Sequence, residues 1–136
     1  MIELSTNTVQ TIQPGGSVTF DRVKYQSRRG CECFNDQIPT SVKLCSRGVY
    51  LLTFHSVATA SAADTQLQLT IAVGGTPMSD TNMDVKPAAV GDLWNMSATT
   101  LYDNSCCDAD RVSIINTGAA PVTLAPGATL CVIRQC

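Results

Sequence analysis

The stretch Gly48-Val49-Tyr50-Leu51-Leu52-Thr53-Phe54-His55-Ser56-Val57 constrains this chain more than any other. Its β-branched and aromatic residues predict a strand. Successive strand side chains point to opposite faces, so Tyr50, Leu52 and Phe54 share one face and Val49, Leu51 and Val57 the other. A strand with one face in water alternates apolar and polar residues. This one is apolar on both faces and must be covered twice. A later stretch, Asp110 to Gly118, has the same character through Val112, Ile114 and Ile115. In a chain of 136 residues one cover is an opposing sheet, and the second is expected to be another subunit.

Helix patterns are nearly absent. Threonine, valine, isoleucine and serine dominate, and Gly/Pro punctuation recurs at Pro14-Gly15-Gly16, Gly74-Gly75-Thr76-Pro77, Asn116-Thr117-Gly118 and Pro126-Gly127. Short runs between regular turns predict strands at Val9–Ile12, Ser17–Tyr25, Ser41–Cys45, Gly48–Thr59, Thr65–Val73, Thr76–Met83, Asp92–Tyr102, Arg111–Asn116, Val122–Ala125 and Thr129–Arg134. Alternation is cleanest in Gln66 to Val73, where Leu67, Leu69, Ile71 and Val73 face a core and Gln66, Gln68 and Thr70 face water. Gly74-Gly75-Thr76-Pro77 reads as a tight hairpin loop, since glycine tolerates positive φ. Gln26–Pro39 and Asp84–Val90 read as loops, and residues 1–13 as an extended N-terminal arm. About ten short strands, with no helices to carry parallel crossovers, predict one all-β domain over residues 1–136, an antiparallel jelly-roll sandwich.

Several function classes drop out. A net charge of −2 leaves no basic footprint for nucleic acid. No apolar run approaches the roughly 20 residues of a membrane-spanning helix. The start, Met1-Ile2-Glu3-Leu4-Ser5, has no basic n-region or apolar core of a secretory signal, so synthesis in a cytoplasm is expected. Seven cysteines sit awkwardly with that, because cytosolic chains rarely hold structural disulfides. A cytoplasmic product released by lysis, such as a phage structural protein, reconciles the two.

The cysteines fall at Cys31-Glu32-Cys33, at Cys45, at the vicinal pair Cys106-Cys107, at Cys131 and at Cys136. Zinc prefers four ligands presented as C-x-x-C-like knuckles, and neither C-x-C nor C-C has that spacing. Adjacent cysteines rarely bond to each other, because the intervening peptide is strained. Cross-links between the two loops, Cys31 or Cys33 with Cys106 or Cys107, are the economical reading. A metal site on the same four residues and free thiols are the alternatives, and the redox argument alone does not choose among the three. The odd count leaves one thiol over, for which Cys136 is the candidate.

Other constellations are weaker. The acidic loop Asp103 to Asp110 lacks the spacing, central glycine and closing glutamate of an EF-hand, and reads as a solvated turn. His55, the only histidine, lies mid-strand among apolar neighbours and reads as a packed or interface residue rather than a base. Nucleophile-elbow, zinc-protease and phosphate-loop motifs are missing, so no catalytic residue and no cofactor is assigned. Asn95-Met96-Ser97 is a glycosylation sequon that is inert in a cytoplasm. Arg22, Lys24, Arg28 and Arg29 form a small basic run, either a solvated loop or a docking patch for an acidic surface such as a capsid shell.

The order of pieces resembles the C1q/TNF-like jelly-roll family, and more closely its small phage-encoded and Firmicutes members. The pieces are Pro14-Gly15-Gly16-Ser17-Val18-Thr19-Phe20, Gly48-Val49-Tyr50 opening a long strand, Leu67-Gln68-Leu69 to Gly75-Thr76-Pro77, Val112 to Gly118, and Leu130-Cys131-Val132-Ile133-Arg134. Each is weak alone; order and spacing over most of the chain carry the likeness. Family members are compact trimers with inner sheets about a threefold axis. The resemblance therefore implies a homotrimer, with Val49, Tyr50, Leu51, Leu52, Phe54 and His55 as interface candidates. It implies a non-enzymatic virion protein, a capsid decoration or head-fibre-like protein partnered by the major capsid protein or another virion protein on the virion surface. The alternative is a receptor- or glycan-binding head of a phage fibre or bacterial surface protein, partnered by a host surface glycan. The sequence starts at Met1 without a collagen-like or coiled-coil stalk, so trimerisation is expected to come from the head itself or from a partner. The cysteine cluster departs from the broad family.

Overall fold

A computed structural model describes residues 1–28, 32–105 and 110–135. Thirteen strands run as β1 (Ile2–Ser5), β2 (Gln10–Ile12), β3 (Arg22–Gln26), β4 (Glu32–Phe34), β5 (Val42–Leu44), β6 (Gly48–Thr59), β7 (Leu67–Val73), β8 (Thr76–Pro77), β9 (Met83–Val85), β10 (Leu93–Asn104), β11 (Arg111–Asn116), β12 (Val122–Leu124) and β13 (Thr129–Arg134). A 3-10 turn, Ser79–Thr81, lies between β8 and β9.

The strands form two antiparallel sheets. Sheet A runs β2-β12-β6-β13-β1-β3, with β10 paired along the other edge of β6; sheet B runs β4-β5-β11-β7-β8, with β9 also on β7. The twelve-residue β6 is the spine of sheet A. It pairs over its whole length with β10, and on its opposite edge with β13 and then β12. This is the jelly-roll sandwich expected from the strand count.

The core lies between the sheets and follows the period-2 pattern. Tyr50, Leu52, Phe54 and Ala58 of β6 join Ile2, Leu4, Leu130 and Val132 from sheet A, all fully buried. Leu69, Ile71, Val112 and Ile114 meet them from sheet B. Both glycines of the β7–β8 hairpin have positive φ, 61° and 80°, and Val73 pairs with Thr76 across them. A two-residue loop with this backbone matches the right-handed strand twist, and only glycine adopts it without strain.

Four expectations are corrected. Residues 1–13 are no free arm: β1 lies inside sheet A between β13 and β3, with Ile2 and Leu4 at 0% exposure. The polar stretch Gln26–Pro39 contains β4, paired with β5. Asp84–Val90 yields its first residues to β9, paired with β7. Thr70 is buried rather than wet, because its hydroxyl donates to Asn82 at 2.8 Å and lies 2.7 Å from the Thr117 hydroxyl.

Candidate functional site

The candidate site is the outer face of sheet A. Along β6, Val49, Leu51, Thr53, His55 and Val57 point away from the core and are half-buried or exposed. The register extends each position into a row across neighbouring strands. Leu101 of β10, Leu51 of β6 and Ile133 of β13 form one apolar row. The next holds Thr99, Thr53, Cys131, Glu3 and Tyr25, crossing five strands. A third holds Ser97, His55 and Thr129. Leu101 is 61% exposed, Leu93 68% and Tyr25 52%, so large apolar side chains stand in water in the single chain.

Of the six interface candidates, Val49, Leu51 and His55 lie on this outer face. Tyr50, Leu52 and Phe54 do not: they are fully buried between the sheets, and their cover is sheet B. One residue of offset along a strand decides it, because alternate side chains take opposite faces.

One end of the face is polar. His55 lines a cavity of about 220 Å³ with Asn95, Ser97, Pro126 and Gly127, and a neighbouring depression bounded by Arg22, Lys24 and Thr129. The fold thus brings Arg22, Lys24 and His55 together, although they are far apart in sequence. Lys24 is held by Glu3 at 2.8 Å. Arg22 and Arg28 are exposed at the sheet-edge strand β3 and just beyond it; Arg29 lies outside the described residues. His55 is exposed rather than packed among apolar neighbours. At the centre of the face, burial lifts the Cys131 thiol above its ordinary value of 9.0. The Glu3 carboxylate adds to this, while the Met1 ammonium opposes it.

A second polar cluster lies where the sheets meet, and sequence reasoning missed it. Glu32 of β4 is 1% exposed, and its carboxylate accepts from the Met1 ammonium at 2.9 Å and from the Arg134 backbone N–H at 3.2 Å. Ser27 Oγ accepts from the same ammonium at 3.1 Å. A strand of sheet B is thereby latched to β1 and β13 of sheet A. The available signal was the alternation Cys31-Glu32-Cys33, which turns the glutamate inward if the cysteines face water.

Of the cysteine candidates, Cys31, Cys106 and Cys107 lie outside the described residues, as does Cys136. The segments flanking both loops converge on Leu44–Ser46: Glu32 pairs with Leu44, Leu44 N–H donates to the Asp110 carbonyl, and Asn104 donates to the Ser46 carbonyl. Cys33 and Cys45 are both exposed, with sulfurs 2.9 Å apart. Among the described residues no three His, Cys, Asp or Glu side chains gather as a metal site. In the acidic loop, Tyr102 donates its hydroxyl to the Asp110 carboxylate.

The architecture is a C1q/TNF-like jelly roll. Matched solved structures include Eiger TNF from S. frugiperda, at 10% identity over 99% of this chain and 91% of that one, TM-score 0.77. Murine APRIL matches at 12% identity over 98% and 97% of the two chains, TM-score 0.70. The globular domain of zebrafish complement 1qA matches at 14% identity over 98% of each chain, TM-score 0.65. At such identities the likeness is one of fold. No protein-family model matches the sequence, and no curated protein matches it.

Proposed function

We propose that the protein is a non-enzymatic, homotrimeric jelly-roll head that serves as a structural or docking module. The observation that carries this reading is the apolar row Leu101, Leu51 and Ile133 across the outer face of sheet A, prolonged along β6 by Val49. Exposed apolar surface spread over several strands marks an interaction face, and the family resemblance supplies its occupant, two further copies about a threefold axis. Within that reading we place the trimer on the outside of a phage capsid, with Arg22 and Arg28 at the exposed β3 edge meeting an acidic shell. A glycan-binding head is the rival. The exposed aromatics Tyr25 and Trp94 lie in strands β3 and β10 rather than at loop tips, which favours decoration.

Native mass measurement tests the assembly: three times the 14.4 kDa chain mass is expected, and a monomer at micromolar concentration would refute it. Charge reversal at Arg22 and Arg28 together tests the docking. Capsid occupancy should fall, with the trimer intact; unchanged occupancy overturns the docking surface alone.

A further inference from the structure

We infer that Cys33 and Cys45 form a surface dithiol site that a small-molecule disulfide converts reversibly into an intrachain cross-link. Neither residue was expected to partner the other. Cys33 sits opposite Lys43 in the β4–β5 register, which makes Cys45 its diagonal neighbour on the same solvent face. Diagonal positions across an antiparallel pair lie within reach of side chains. Their sulfurs are 2.9 Å apart, closer than unbonded carbon atoms approach, about 3.5–4.0 Å, yet longer than the roughly 2.05 Å of a disulfide. Closure needs only a small side-chain movement, and both thiols are open to solvent.

The reaction balances by thiol–disulfide exchange. One cysteine thiolate attacks a sulfur of the oxidant RSSR, forming a protein–SR mixed disulfide and releasing RS⁻. The second thiolate attacks the protein sulfur of that mixed disulfide and expels the other RS⁻. Two protein thiols and one RSSR thus become one protein disulfide and two RSH, which take up the two thiol protons.

The site's position gives the bond a consequence. β4 has three residues, is joined to sheet B through β5, and carries Glu32, the inter-sheet latch. Closing Cys33 onto Cys45 fastens that strand.

The test treats the full chain with oxidised glutathione, alkylates the remaining thiols, and digests with trypsin. Cleavage after Lys43 puts Cys33 in Gly30–Lys43 and Cys45 in Leu44–Arg47, so the bond appears as a cross-linked peptide pair that dithiothreitol separates. Cys31 shares the first peptide, so two variants assign the link. Cys31→Ser should retain the cross-linked pair and Cys33→Ser should lose it. Full alkylation of both thiols after glutathione treatment would overturn the inference. So would a pair persisting in Cys33→Ser, or a link that yields only covalent dimers.

Discussion

Cys131 shows how one side chain records its place in the fold. It stands on the outer face, between Thr53 of β6 and Glu3 of β1. Burial raises its ionisation above 9.0, and Glu3 reinforces the shift. A raised folded value leaves less thiolate at any given pH, and the thiolate is the reactive form. Cys131 in the folded protein should therefore react more slowly with iodoacetamide at pH 8 than in the urea-unfolded chain. Peptide mass spectrometry after timed quenching reads this. Equal rates would contradict it. The linkage has a definite sign: the folded state holds this proton more tightly, so the contribution to stability is full below 9.0 and is lost as pH rises through the folded value.

At the scale of elements, legibility in the sequence followed length and pattern. The spans of β6, β11 and β13 match expectation to the residue, because runs such as Val49 to Phe54 and Val112 to Ile115 are long, β-branched and bounded by turns. β1 was not legible. Ile2-Glu3-Leu4-Ser5 is four residues long, and its polar positions belong to an outer face that sequence alone does not reveal. β4 was hidden for a related reason: its glutamate points inward and its cysteine outward, the reverse of ordinary patterning. The two sets of side chains on β6 were separable by period, but which set faced the core required the second sheet. These elements carry a prediction. Deleting Met1–Ser5 removes a strand internal to sheet A, exposes Ile2's and Leu4's core neighbours, and takes away the cation that holds Glu32. Losing two fully buried aliphatic side chains costs about 2–5 kcal/mol each, comparable to the whole stability of a domain. Circular dichroism should find the truncated chain unfolded or melting far lower. A native-like melt would show β1 to be dispensable.

For the whole molecule, the sandwich divides its apolar residues between two tasks. One face of β6 closes the core with sheet B; the other remains in water until something covers it. Leu51→Asp discriminates between these tasks. Leu51 is only half-buried in the single chain, so the monomer should fold with a modest loss. In the proposed trimer the same aspartate would be buried without a partner, at several kcal/mol per copy. Sedimentation should report a folded monomer at micromolar concentration. A Leu51→Asp trimer as stable as the parent would move the interface elsewhere. The matching substitution on the opposite face, Leu52→Asp, should instead prevent folding, since Leu52 has no exposure to water.

The contact between the Met1 ammonium and Glu32 has a practical bearing on how the protein is handled. Any peptide joined ahead of Met1, or a formyl group retained on it, converts the ammonium to a neutral amide. Glu32 would then stand as a buried anion facing an uncharged group, keeping the Arg134 N–H as its remaining backbone donor. Leaving a buried acceptor short of a partner costs about 1–3 kcal/mol. An affinity tag at the front of this chain thus acts as a point mutation in the seam between its sheets. Proteolytic removal that leaves a free ammonium on Met1 should raise the thermal midpoint; a scar of even one residue should not.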